Sequence, residues 1–246
     1  VFESDVLKAL KKFKLSQKDI NHPLSPKYAS VIEGMKAQLE TKGKILVFSE
    51  EKSQHKKLHR IFCHHLGLNG DQVGILNGDT VAGLESASND ENHKKMTTKQ
   101  VEKLVAQGED VELLGLEAIA ERYNSGQYKV LILNKKGEVG INLHIGTTDM
   151  IHLTLPWNQS TVDQRNGRGA RVGSPQDRVN VHFPVAKGSF DLFRKDTIER
   201  KASWNDELWQ GDSTTMANAE AESDLDVGML LSSNPEEYKA KQDEAR

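Results

Sequence analysis

Five short apolar runs alternate with stretches of helical periodicity, and that alternation leaves few folds open. The runs are Lys44–Ser49 (KILVFS), Val73–Asn77, Lys129–Leu133 (KVLIL), Met150–Leu155 and Arg178–Phe183. Each has the length of a strand. Helices are predicted over 27–39, 51–66, 114–124, 160–171 and 189–209. In the second of these, Leu58, Ile61, Phe62 and Leu66 recur on one face. Strands alternating with helices predict an α/β fold, a mainly parallel sheet with helices on both faces. Short, continuously apolar strands fit burial on both of those faces.

The 246 residues allow one large domain or two small ones. Residues 1–26 are expected to form a lysine-rich N-terminal extension with a turn at Asn21-His22-Pro23. Residues 27–210 are expected to hold one domain, interrupted by a polar insertion over about 80–112. Residues 211–246 carry nine acidic and three basic side chains and are expected to form a loosely ordered tail, with a short helix near Pro235–Gln242. The other 210 residues hold 30 basic and 27 acidic side chains. A mildly basic body with an acidic tail is compatible with nucleic-acid binding, but many proteins that bind none share it. No apolar run approaches ~18 residues, so no membrane helix is expected. The chain opens VFESDVLKAL, without Met or a signal pattern, and reads as a piece of a longer or processed protein. Its one cysteine, Cys63, leaves no internal disulfide or cysteine-based zinc site. A reducing, cytoplasmic setting is the simplest expectation.

Parallel sheets bind ligands at the carboxyl ends of their strands. After the third run the sequence reads Asn134-Lys-Lys-Gly137-Glu-Val-Gly140-Ile-Asn142-Leu143. Glycines three apart let a backbone approach a phosphate or a neighbouring domain; a plain tight loop gives the same spacing. After the fourth run come Pro156-Trp157-Asn158 and Gln164-Arg-Asn-Gly-Arg168-Gly-Ala-Arg171. If 160–171 is one helix, Gln164, Arg168 and Arg171 share a face. Two guanidiniums and an amide suit a polyphosphate; a solvated basic face looks the same. Gly167 and Gly169 weaken such a helix unless close packing needs them. The chain has no G-x-x-x-x-G-K-[ST] phosphate loop and no acidic strand-end motif for magnesium. Donors for a phosphate without a cradle suggest half of a nucleotide site.

These segments, in this order, resemble the second RecA-like domain of superfamily 2 helicases and translocases. Lys44–Glu50 is similar to motif IV, Val130–Leu143 to motif V, and Gln164–Arg171 fits the Q-x-x-G-R-x-x-R of motif VI at every specified position. Gly140-Ile-Asn142-Leu143 and Pro156-Trp157-Asn158 look like the Swi/Snf branch, whereas DEAD-box RNA helicases usually carry Asp where Asn142 stands. Lys136 and Glu138 stand where Swi/Snf proteins have small residues. The segments GINLHIGTTDMIHLTLPWN, DQRNGRGARVG and KGSFDLFRKDTIERK resemble the DarB-like antirestriction family of phages and plasmids, which joins an adenine-type DNA methyltransferase to a helicase.

The resemblance implies a RecA-like (P-loop NTPase-type) three-layer sandwich that serves as a second helicase domain. It implies ATP as the nucleotide, with Mg2+ held by an absent first RecA-like domain of the same polypeptide. Arg168 and Arg171 would reach the γ-phosphate, one of them as an arginine finger, and Gln164 would orient an arginine or touch the nucleotide. Gly140 and Asn142 would link nucleotide state to the nucleic-acid track, and Ser49 and Lys135 would hold backbone phosphates. DNA is the expected partner, with no membrane, in the bacterial cytoplasm or in the virion if phage-encoded. An upstream methyltransferase domain is the further partner implied. The isolated chain is expected to lack ATPase activity. The alternatives are an RNA helicase domain, a non-catalytic docking module of an antirestriction protein, and an ordinary small-molecule enzyme, against which the missing G-x-G-x-x-G counts.

Two other features invite simpler readings. His55 and His59 sit i, i+4 on a predicted helix, a workable ligand spacing, but nothing completes a metal set. Phe190, Phe193, Ile198, Trp204 and Trp209 read as packing of the last helix onto the sheet, with a face for a partner domain as the alternative, and Cys63 reads as a buried helix residue.

Overall fold

The computed structural model describes residues 24–78, 85–86, 103, 106–107, 113–135, 140–186 and 189–210. Most of the N-terminal extension, most of the insertion and the acidic tail lie outside the described residues.

Helix α1 (Pro26–Glu40) opens with Ser25 as N-cap, whose hydroxyl accepts from the Tyr28 N–H, and with proline in its first turn. It leads into β1 (Lys44–Phe48). Helix α2 (Lys52–Leu66) ends on Gly67 in the left-handed region. Strand β2 (Val73–Leu76) follows a 3-10 turn. The two-residue strands β3 (Glu85–Ser86) and β4 (Leu113–Leu114) pair antiparallel at the two ends of the insertion. Then come α3 (Leu116–Asn124), β5 (Val130–Leu133), β6 (Thr147–His152), α4 (Gln159–Gly169), β7 (Asn180–His182) and α5 (Phe190–Gln210).

Five strands form one sheet in the order β2-β5-β1-β6-β7, and every pairing is parallel. Strand β1 lies at the centre, and all five of its residues are buried. Alternation along it sorts the two faces. Ile45 and Val47 join Val31, Met35, Leu58, Ile61 and Phe62 from α1 and α2. Leu46 and Phe48 join Ile119, Tyr123 and Met150 beneath α3 and α4. The three-layer arrangement expected from the alternation is present. The fourth strand starts earlier than its apolar run, at Thr147, because Thr147 and Asp149 are polar yet buried and paired.

Lys44 explains how a charge can begin the central strand. Its Nζ donates to Tyr123 O (2.5 Å) and Asn124 O (3.1 Å), carbonyls in the last turn of α3. Burial lowers its pKa from the ordinary lysine value.

Candidate functional site

Helix α4 begins at the Asn158 N-cap, whose side chain accepts from the Thr161 N–H at 2.9 Å. It starts beyond the carboxyl end of β6 and runs back along the sheet. Its last residue, Gly169, rests on β6 and β1: a Cβ there would lie 2.7 Å from Met150 Sδ and 3.0 Å from Thr147 Cγ2. Close packing therefore requires Gly169, while a Cβ on Gly167 would meet nothing within 4 Å.

Two sequence expectations are corrected here. The helix ends at Gly169, with Ala170 as an extended cap, so Arg171 is not on the same helical face as Gln164 and Arg168. The arginines also do not stand at the carboxyl rim. The antiparallel run of α4 delivers them beside Thr147, where β6 begins.

There they meet the loop before β6. Gly140 takes a positive φ of 83°, a turn that suits glycine. Ile141 and Leu143 are buried and pin the loop, leaving Asn142 exposed between them. The Leu143 N–H donates to Arg168 O at 3.1 Å. In return Arg168 Nη1 donates to Ile141 O at 3.2 Å. Arg171 Nη1 donates to Asn142 Oδ1, and Asn124 Nδ2 holds Asn142 O at 3.0 Å. Arg168, Arg171, Gly140 and Asn142 thus form one cluster, with Gln164 exposed one turn earlier on α4. Residues 136–139, including Lys136 and Glu138, lie outside the described residues.

The Arg168 Nε is buried and has no hydrogen-bond partner among the described residues. Exposed Arg171 and this under-used guanidinium supply donors for an anion. Among the described residues, nothing in the cluster cradles one.

The carboxyl rim is a separate surface. Lys135 is exposed there, but Ser49 is only 2% exposed. Behind it, His55 Nε2 donates to Ser49 O at 2.9 Å, and His55 Nδ1 accepts from Asn77 Nδ2 at 3.3 Å. His59 Nε2 donates to Gly70 O at 3.1 Å. The histidine pair with metal-ligand spacing thus bonds to backbone carbonyls. Cys63 is partly exposed, not buried.

Sequence reasoning passed over Arg165, because nothing in its spacing separates it from its neighbours. It is wholly buried, paired with Glu50 from the β1–α2 loop, and lies over the Phe48 ring at 5.3 Å. Its Nη1 donates to Thr154 O at 3.0 Å. Burial pushes its pKa down to about 10, so it stays charged at neutral pH. Of the α5 residues expected in the core, Ile198 is buried, but Phe190 is exposed and stacks on Phe193 at 5.3 Å. Phe190 also meets Trp157 edge to face, and Arg194 lies 4.3 Å from the Trp157 ring centre. The side chains of Trp204 and Trp209 lie outside the described residues.

Comparison with known proteins shows the family and the fold. The profile of the helicase conserved C-terminal domain matches residues 26–173. The whole chain is 40% identical to part of the Defense against restriction protein B of Escherichia phage P1. It spans only 11% of that protein's length. A further 80-residue stretch, 32% of the chain and 16% of the relative, is 31% identical to the Putative ATP-dependent RNA helicase L538 of Acanthamoeba polyphaga mimivirus. Among solved structures, the C-terminal part of the Fun30 ATPase domain superposes with a TM-score of 0.50 at 16% identity, over 80% of this chain and 51% of that one. That likeness shows the RecA-like fold. With its profile match running from the first turn of α1 past Arg171, the chain belongs to the helicase conserved C-terminal domain family.

Proposed function

We propose that this chain is the second motor domain of an ATP-dependent DNA helicase or translocase, working in a phage or plasmid antirestriction or DNA-modification protein. The observation that carries the reading is the joining of Arg168 and Arg171 to the 140–143 loop. Two guanidiniums are held on one edge by groups that leave part of their donor capacity unused. Bound ATP supplies a phosphoryl group whose transfer spreads charge over its oxygens. Arg168 and Arg171 stabilise that charge, one of them as an arginine finger, an effect worth ~10³–10⁵ in rate. Gln164 orients an arginine or contacts the nucleotide. The first RecA-like domain of the same polypeptide holds the phosphates and Mg2+.

Gly140 and Asn142 tie this edge to the loop that leaves the carboxyl end of β5. Lys135 stands at that end and would take a backbone phosphate. Ser49 would do so only through movement of the β1–α2 loop, given its burial. Engagement of the arginines would shift the loop, and the loop would shift the nucleic-acid contact. The identity with the phage P1 Defense against restriction protein B favours DNA, the target of restriction; an upstream methyltransferase domain rests on the family resemblance alone. The shorter match to a putative RNA helicase favours RNA as the second reading.

The test is steady-state ATPase of the longer parent polypeptide without polymer and with duplex DNA, single-stranded DNA or RNA. DNA-stimulated turnover that collapses in Arg168→Ala/Arg171→Ala supports the DNA motor. Stronger stimulation by RNA transfers the reading to an RNA helicase. No turnover, or turnover indifferent to the double substitution, makes the fold a docking module.

A further inference from the structure

A cavity of about 370 Å³ opens between α1 and the β6–β7 side of the sheet. It lies on the opposite sheet face from α4, since its walls include Val31, Met35, Ile45 and Ile151, whereas Gly169 packs on Leu46 and Met150. Pockets of this size hold small ligands, with apolar walls and a few polar groups that fix orientation. Here one polar group stands out. Asp149 lines the cavity and is 1% exposed. Its Oδ1 accepts from His182 Nε2 at 2.7 Å and from Asn180 Nδ2 at 3.2 Å. Its Oδ2 is buried with no partner among the described residues. A buried carboxylate oxygen left without a donor is costly, so a donor supplied from outside is favoured there.

A second feature keeps the cavity open. Gly34 stands inside α1 and lines the cavity, and a Cβ built on it would meet nothing within 4 Å. Glycine weakens a helix interior, and no close approach requires it at this position. A larger side chain there would project into free space on the cavity side.

We infer that this cavity binds a small organic cation, an amine or amidine on an apolar body, against the Asp149 carboxylate. The charge complements the carboxylate and the body fits the walls of Val31, Met35 and Ile151. A metal ion does not fit: Ser30, Gln38 and His182 also line the wall, but Asp149 is its one carboxylate, and among the described residues no group of three or more His, Cys, Asp or Glu side chains gathers to hold an ion. The site is independent of the motor reading, since it uses none of the arginines and none of the strand-end residues.

The test compares benzamidine, cationic at neutral pH, with its neutral isostere benzamide, by calorimetry and NMR titration on the whole 246-residue chain. Saturable benzamidine binding is expected, with benzamide weaker by about tenfold or more. Gly34→Leu should fill the cavity and weaken benzamidine by a similar factor, with Tm unchanged or raised. Asp149→Asn should erase the preference for the cation. If that variant does not fold, Gly34→Leu decides. Absence of saturable benzamidine binding, equal affinity for benzamide, or undiminished binding by a folded Gly34→Leu chain would overturn the proposal.

Discussion

Arg171 donates to the side-chain oxygen of Asn142, a residue 29 positions earlier in the chain. The bond joins the residue just past the end of α4 to the exposed tip of the loop before β6. It ties together two segments that the sequence separates by a whole strand and helix.

If that bond positions Arg171, Asn142→Ala and Arg171→Ala should lower ATPase of the parent polypeptide in the same direction. The double variant should lose clearly less than the product of the two single losses. A double-mutant cycle on kcat/KM measures this. Fully independent effects would show that Asn142 does not act through Arg171. Both residues are exposed, so each single variant should keep its unfolding free energy within about 0.5 kcal/mol.

The two glycines of α4 should respond to alanine with opposite signs. At Gly167 the Cβ has open space, and Gly167→Ala should stabilise the chain by about 0.5–1 kcal/mol through helix propensity. At Gly169 the Cβ meets Met150 Sδ at 2.7 Å and Thr147 Cγ2 at 3.0 Å. The Met150 side chain can yield and the short Thr147 side chain cannot, so Gly169→Ala should cost about 1–3 kcal/mol. Urea unfolding of both variants checks the pair of signs.

Glu50→Ala should cost more than Arg165→Met. The first leaves a wholly buried guanidinium without its carboxylate, and breaking a buried pair costs about 3–5 kcal/mol. Glu50 is itself 32% exposed, and water that replaces it lowers the expectation to about 2–3 kcal/mol. Arg165→Met removes the charge, keeps much of the volume and retains contact with Phe48. The reverse order in denaturant titrations would mean that hydrogen bonds to carbonyls such as Thr154 O, not the ion pair, hold Arg165.

Stability should fall as pH drops below about 6.5. His55 and His152 both have lowered pKa values, chiefly because burial disfavours their charged forms. Lys52 adds to the lowering at His55, while the bond to Ser49 O opposes it. His152 lies between Phe48 and Phe183, with ring centres at 5.0 and 4.7 Å, and bonds to Asn166 at 3.0 Å. Above the unfolded pKa both states are neutral and stability is full. As pH falls, the unfolded chain takes up protons first, so stability declines until the lower folded pKa is passed. Tm measured from pH 7.5 to 5 should therefore drop, and His152→Phe should flatten the slope. An unchanged slope would place the titration elsewhere.

The alternation of KILVF, VGIL and VLIL with helical stretches was enough to reveal the parallel sheet. Strand pairing in such a fold follows from hydrophobic runs and right-handed crossovers, which are local and repetitive signals. The arginine pattern was legible for a similar reason, since motif VI lies within eight consecutive residues. Its orientation was not legible. Only packing shows that α4 runs antiparallel to β6 and that Gly169 seats it, because that contact joins residues with no shared sequence period. The same holds for Arg165 with Glu50 and for Asp149 with His182. Local sequence determined which elements form, through periodicity, capping and apolar runs. The tertiary structure alone decided which charges meet, because burial and hydrogen-bond geometry depend on neighbours brought in from distant parts of the chain.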